Sequence, residues 1–484
     1  MSISATLANA LSGLGVSSRS AEVVSSNIAN AMTDGYGRRE VHLETHWVAG
    51  ESAGARVAGV SRNVDQYVIG QRWLASADMA LDQERSDFWQ DIKLQLGTPD
   101  DPSSITGLID QLEASLIEAA SRPDSVPRLD GVLRSAERLT GFLNDASDTI
   151  QQLRMRADRD IANEVDLLNT SLAQIHELNT TIRANATAGR SVNALMDQRQ
   201  VVLDRLAEIV PIHIARRSFD QVAIYTRGGA ILLDGPPADI DFSPVGVITA
   251  DMSVGSGALS QASLRGRPVD STGNGPLAGG RLGAFFEVRD LLAVDAQTDL
   301  DAIARNLIDR FSSVAVDPSL PAGAPGLFTD AGTAMIPANE VGVAGRIAVN
   351  TLVDPKQGGQ LWRLRDGIGL AAAGDVGDAT LLYNLADALT TASNTNSGSF
   401  AGLLRSSSGL AAELTSLVNG NLGTASQAYD FAKAQHNTLK TAELQFGVDS
   451  DAEMRKLMMI EQAYAANARV ITTADEMIQL LLNI

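Results

Sequence analysis

Apolar positions recur at helical spacing at both ends of the chain. Near the start, Leu7, Leu11, Leu14, Ser18, Ala21, Ser25 and Ile28 alternate spacings of four and three, a seam that is small in its middle and predicts a helix over 3–32. It stops in Asn30-Ala-Met-Thr-Asp-Gly35, where Gly35 can take a left-handed cap. At the other end, Leu457, Ile460, Tyr464, Asn467, Ile471, Ala474, Ile478 and Leu481 repeat by three and four. Residues 451–484 would make a rod of about 50 Å. Asn467 on this seam costs stability but can fix register and partner choice. A helix seam cannot bury itself, so the two ends need each other or neighbouring subunits.

Between the ends the period changes several times. Val41, Leu43, Thr45 and Trp47 alternate with polar residues, and Arg56–Arg62 reads as a second strand across a turn at Gly50–Gly54. Helical spacing returns over 66–97, 104–121, 128–187 and 192–209. Residues 212–278 hold short strand-like runs, among them 212–215, 222–226 and 230–233, broken by Gly, Pro and Asp. Helices resume over 281–315 and again from 378, with a Ser/Gly/Asn-rich stretch at 393–409 and a break at Gly447. The expected fold is mainly α with an inserted β-rich domain. It is an elongated multidomain chain whose N- and C-terminal helices pair as a coiled-coil-like stem. Its expected parts are 1–35 with 450–484 as the stem, 36–211 with 279–449 as a mainly helical middle, and 212–278 as an inserted outer domain.

Composition narrows the function. Hydrophobic residues are 44% and charged residues 20% of the 484, enough apolar material for sizeable cores. A net charge of −20 with only isolated basic pairs, Arg38–Arg39 and Arg216–Arg217, argues against nucleic acid and against an anionic membrane surface. The chain has no cysteine, which excludes disulfides and thiolate chemistry. No apolar run is long enough to span a membrane, and the first residues lack the basic-then-apolar pattern of a Sec signal peptide. Export, if it occurs, uses another machine.

Enzyme signals are thin. Gly50-Glu-Ser-Ala-Gly54 fits the Gly-x-Ser-x-Gly nucleophile elbow, but an elbow needs a helix after the serine and the following residues look like a strand. A hairpin turn accounts for them, which leaves a serine hydrolase as a remote alternative. His42, Glu44 and His46 share one face of a strand without a further ligand nearby. No catalytic, cofactor or metal residue is assigned, and no cofactor is expected.

Two segments carry a resemblance. Asn27, Ile28, Ala29 and Asn30, followed by Thr33, Gly35, Tyr36 and Arg38, resemble the N-terminal signature of the flagellar rod, hook and hook-associated axial protein family. The run Glu461–Met477 is similar to that family's C-terminal signature. Gly35-Tyr-Gly-Arg-Arg39, Gly59-Val-Ser-Arg62, Asp197-Gln198-Arg199 and Gly279-Gly-Arg-Leu-Gly283 resemble the hook–filament junction branch more than hook or rod proteins, which stand as the alternative. The resemblance implies a structural subunit rather than an enzyme. It implies terminal helices lining an axial tube of identical subunits, export unfolded by the flagellar type III apparatus, and polymerisation at the distal end of the hook. It also implies contact with hook protein and a second junction protein, and a cytoplasmic export chaperone that binds the C-terminal helix. The expected site is extracellular, on the flagellum, after a cytoplasmic stage.

Overall fold

The structure, a computed structural model, describes residues 3–48 and 51–482, so Gly50 of the elbow-like sequence lies outside the described residues. The elements run α1 (Ile3–Ala29), β1 (Arg38–Val48), β2 (Glu51–Asn63), α2 (Gln66–Leu96), α3 (Ile105–Ser121), α4 (Val126–Thr187) and α5 (Asn193–Ile209). The short strands β3 (Ile212–Arg216), β4 (Val222–Thr226), β5 (Ile231–Leu233), β6 (Ile240–Asp241), β7 (Ser263–Leu264) and β8 (Arg267–Pro268) follow. Then come α6 (Gly280–Glu287), a π-turn at Val288–Leu292, α7 (Ala293–Phe311), β9 (Phe328–Asp330), β10 (Ile347–Val349), α8 (Arg363–Asp366) and α9 (Thr380–Thr390). The chain ends through β11 (Ser393–Asn394), β12 (Leu404–Arg405), α10 (Ser407–Leu444) and α11 (Ser450–Leu482). Helix dominates and the sheets are small.

The chain divides into two compact units: residues 1–79, 167–239 and 432–484, and residues 80–166 with 240–431. This differs from the sequence partition. Residues 212–278 do not form one inserted domain: β3-β4-β5 is a three-stranded sheet of the first unit and β6-β7-β8 a separate one of the second. The reason lies in side-chain anchors. Asn179 on α4 donates to Val222 O (2.8 Å) and accepts from Val222 N (3.2 Å), which ties β4 to the first unit. In the second, Asp158 accepts from Val245 N (2.5 Å) and pairs with Arg289 (2.7 Å), whose Nη2 donates to Ser260 O (2.9 Å).

The first unit holds both chain ends. Its hairpin runs from Arg38 opposite Asn63 to Val48 opposite Glu51, with bulges after His42 and Thr45. A strand therefore follows Gly50–Gly54 where a nucleophile elbow needs a helix. Gly54 sits at φ 99 against α1; a Cβ there would lie 1.8 Å from Ser12 Oγ, which accepts from Ala55 N (3.3 Å). The C-terminal part of α4 supplies a fully buried stripe of Leu168, Leu172, Ile175 and Ile182 at helical spacing. Arg72 on α2 bridges Asp204 (2.7 Å) and Glu443, and Trp73 Nε1 donates to the same Asp204 (2.7 Å).

The second unit is a larger helical core. Buried Ile105, Leu112 and Leu116 of α3, Leu139 and Leu143 of α4, and Ile303, Leu307 and Phe311 of α7 belong to one cluster. Phe311 meets Phe328 edge to face at 5.0 Å. The π-turn interrupts the helical ladder where the fully buried Arg289 reaches Asp158 and Asp290 (2.8 Å).

Candidate assembly site

The two chain ends lie antiparallel. Asn27 on α1 contacts Glu453 on α11, Gly13 faces Asn467, and Ile3 and Thr6 share a groove with Val470, Thr473, Ala474 and Met477. On α1 the contacts with α11 come from Gly13 and Asn27, and Ala10, Ser17 and Val24, at the same helical spacing, are buried. This corrects the seam read from its leucines, which lies one residue further along the helix. Leu11 is 55% exposed, while Leu7, Leu14 and Ile28 are half-buried. A close helix contact selects small residues because a backbone can approach only where side chains are short. A Cβ on Gly13 would sit 2.5 Å from Asn467 Nδ2.

On α11, Ala474 is buried, and Asn467, Leu457, Ile460 and Ile471 are half-buried. Tyr464, Ile478 and Leu481 are exposed, together with Met454, Met458, Met459 and Met477. Both helices therefore keep apolar side chains outside their mutual contact.

Asn27 is the centre of the site. It is 0% exposed, and both ends of its amide are used twice. Nδ2 donates to Arg39 O (2.9 Å) and Glu453 Oε2 (3.0 Å). Oδ1 accepts from Tyr36 OH (2.9 Å) and Arg39 N (2.9 Å). One side chain thus joins the end of α1, the start of β1 and the start of α11. Glu453, 2% exposed, also has Arg38 Nη1 at 3.9 Å. Asp449 caps α11 by accepting from Asp451 N (2.9 Å) and Ala452 N (3.1 Å), which fixes the turn that presents Glu453.

The rest of the N-terminal signature shapes the turn. Asn30 Nδ2 donates to Ser26 O (2.8 Å), Thr33 Oγ1 donates to Asn30 Oδ1 (3.3 Å), and Ala29 is exposed. Gly35 takes φ 73, and a Cβ there would meet Val201 Cγ2 at 2.6 Å. The internal motif on α5 closes against this turn. Asp197 accepts from Gly37 N (3.0 Å) and Arg39 Nη2 (3.0 Å) and pairs with Arg62 Nε (2.7 Å). Burial lowers the Arg62 guanidinium, with Asp197 opposing. Gln198 points to solvent. Arg199 is buried, donates to Asn179 Oδ1 (2.8 Å) and Asp220 O (2.7 Å), and is pushed down to about 10 by burial and by Arg62.

Structure thus brings the N-terminal signature, the internal motif and α11 together. Sequence reading missed Glu453 and Gly13. Glu453 carried a signal as an acid in the first turn of a helix, and Gly13 as a glycine inside a helical repeat.

Residues 93–317 match the family described as flagellar hook-associated protein FlgK helical domain, and residues 445–484 match flagellar basal body rod FlgEFG protein C-terminal. The flagellar hook-associated protein 1 of Bacillus subtilis (strain 168) is 25% identical, over 94% of this chain and 93% of that protein. That of Salmonella typhimurium is 26% identical over 49% of this chain and 44% of its own length. Among solved structures, the flagellar hook junction protein FlgK from Burkholderia pseudomallei aligns with TM-score 0.43 and 20% identity, over 54% of this chain and 46% of that one. The second match falls on α11, the helix that Asn27 anchors to the N-terminal signature. The chain resembles the flagellar hook-associated protein 1 family, a structural and non-enzymatic family of the bacterial flagellum.

Proposed function

We propose that this chain is a structural subunit of the junction between flagellar hook and filament. It assembles with copies of itself into a tube, with hook protein below and the second junction protein above. The observation that supports this most is the pairing of the chain ends through Asn27 and Glu453, with apolar side chains left outside the pair. Leu11 on α1 and Tyr464, Ile478 and Leu481 on α11 then face neighbouring subunits, where each apolar side chain removed from water contributes about 1.5–3 kcal/mol. Export unfolded through the flagellar type III apparatus, with a chaperone holding α11 beforehand, belongs to the same reading: a methionine-bearing apolar face needs cover until it assembles.

Deleting the gene tests the role. Cells should then build hooks without filaments and release unpolymerised filament protein into the medium. Filaments of normal number and attachment in the deletion strain would overturn the proposal.

A further inference from the structure

The first unit contains a cavity of about 40 Å³ between α2, α5 and the β3–β4 connection, and arginines crowd around it. A water needs about 10–15 Å³ by the same measure, so there is room for a few waters or one small oxyanion. Arg62, Arg199, Arg216 and Arg217 line it, in a chain whose net charge is −20.

The local charges do not cancel. Arg62 has its partner in Asp197 (2.7 Å), and Arg217 in Asp234 (2.7 Å). Arg39 also draws on Asp197. Arg199 is 5% exposed, and among the described residues only its Nη1 finds acceptors, an amide oxygen and a backbone carbonyl. Arg216, the exposed last residue of β3 beside the β3–β4 connection, meets no carboxylate at ion-pair distance among the described residues. Asp220 is the remaining acid on the lining, and what it gives Arg199 directly is its backbone oxygen. Phe219 and Asp220 hold φ 57, in the left-handed region that non-glycine residues seldom occupy. The connection is thus held in a costly shape that turns a carbonyl toward Arg199. Burying a guanidinium without a carboxylate partner costs several kcal/mol, and a bound oxyanion would offset that cost.

We propose that this cavity is an oxyanion-binding site, in which the free edge of Arg199 and the Arg216 fork grip a carboxylate, phosphate or sulfate group. Two N–H donors on a planar fork match two oxygens of any of these groups. The ligand would be a dissolved inorganic ion or the Asp or Glu side chain of a second copy of this chain. The inference goes beyond the junction role and does not depend on it, because the site lies within one chain.

The test uses the full chain as a monomer. Its melting temperature is followed against sodium phosphate, sodium sulfate and sodium acetate, each compared with sodium chloride at equal ionic strength. At least one oxyanion should stabilise saturably beyond chloride. Arg216→Gln should weaken the apparent affinity about tenfold, the loss of one charge-assisted hydrogen bond. Arg190→Gln, an exposed arginine outside the cavity, should respond like the wild type. Arg216→Lys, which keeps the charge and loses the fork, should fall between. Stabilisation by phosphate or sulfate assigns the site to a tetrahedral oxyanion, and stabilisation by acetate alone assigns it to a carboxylate. No oxyanion effect beyond chloride, or an undiminished effect in a folded Arg216→Gln protein, overturns the proposal.

Discussion

Replacing Gly13 with valine should push α1 and α11 apart where Gly13 faces Asn467. A Cβ at this position would lie 2.5 Å from Asn467 Nδ2, 2.8 Å from its Cγ and 2.9 Å from its Oδ1. Ordinary contact needs about 3.5–4.0 Å, so the amide would have to move about 1 Å before the valine methyls are counted. Over-packing costs about 1–3 kcal/mol, and the lower half of that range applies here because the atoms that must give way are the far end of one side chain. Helix propensity works the other way, since valine is better than glycine by a few tenths of a kcal/mol, about 0.4. The net loss is then about 0.6–1.6 kcal/mol. Gly15 is the control: it lies on the same helix, and nothing sits within 4 Å of its Cβ position. Gly15→Val should be neutral or slightly stabilising. Asn467→Ala removes the atoms that clash, so it should rescue Gly13→Val while costing little alone, giving a coupling energy of about 1–2 kcal/mol in a double-mutant cycle. Hydrogen exchange of α1 and α11 amides reads the effect locally, with opening in Gly13→Val raised about three- to fifteenfold. Equal exchange in the Gly13 and Gly15 variants, or no rescue by Asn467→Ala, would refute the close contact.

Three further outcomes follow from the same geometry. Asn27→Ala removes a hydrogen bond from each of Glu453 and Tyr36 and two from the Arg39 backbone in a buried site, a loss of about 3–5 kcal/mol that should appear as faster exchange in α1, the start of β1 and the start of α11 together; loss confined to α1 would contradict the three-way anchor. Ile471→Asp and Ile478→Asp should leave the main melting transition intact, because Ile478 is 37% exposed and Ile471 half-buried, yet abolish filament attachment, whereas Gln479→Asp on an exposed position should be tolerated; equal damage from all three would remove the assembly role of that face. Burial, with Asp87 close by, pushes the Glu84 carboxyl from its ordinary 4.5 up to about 7, so its cost is absent below pH 4.5, grows between pH 4.5 and 7 and is complete above 7; Glu84→Gln should match the wild type at pH 4 and be more stable by about 1 kcal/mol at pH 8 after solvent screening is counted, and a constant difference between the two across that range would refute this.

Much of the helical framework was legible because long helices advertise their period. The expected helices over 66–97, 104–121, 128–187 and 192–209 correspond to α2 through α5 within two residues at each end. The partition of the middle was not legible. Strands of two to five residues carry little periodic signal, and their membership is decided by single buried contacts such as Asn179 with Val222 and Asp158 with Val245. At the chain ends the limit was of another kind. Hydrophobic pattern ranks leucine as the inward residue, so Leu7, Leu11 and Leu14 drew the seam. The contact with α11 runs instead through Gly13, where the missing side chain makes room for Asn467, with Ala10 and Ser17 buried at the same helical spacing. The motif residues could be located in sequence but not connected: nothing in the spacing of Asn27, Asp197 and Glu453 announces that one turn of chain brings all three together.

The central claim concerns place: a subunit seated where hook meets filament. Immunogold labelling of isolated, intact flagella tests it most directly, with antibody raised against residues of the second compact unit. The account predicts label confined to a narrow band at the hook–filament boundary and absent from a deletion strain. Label spread along the hook, the rod or the filament, or none on the flagellum at all, would contradict it.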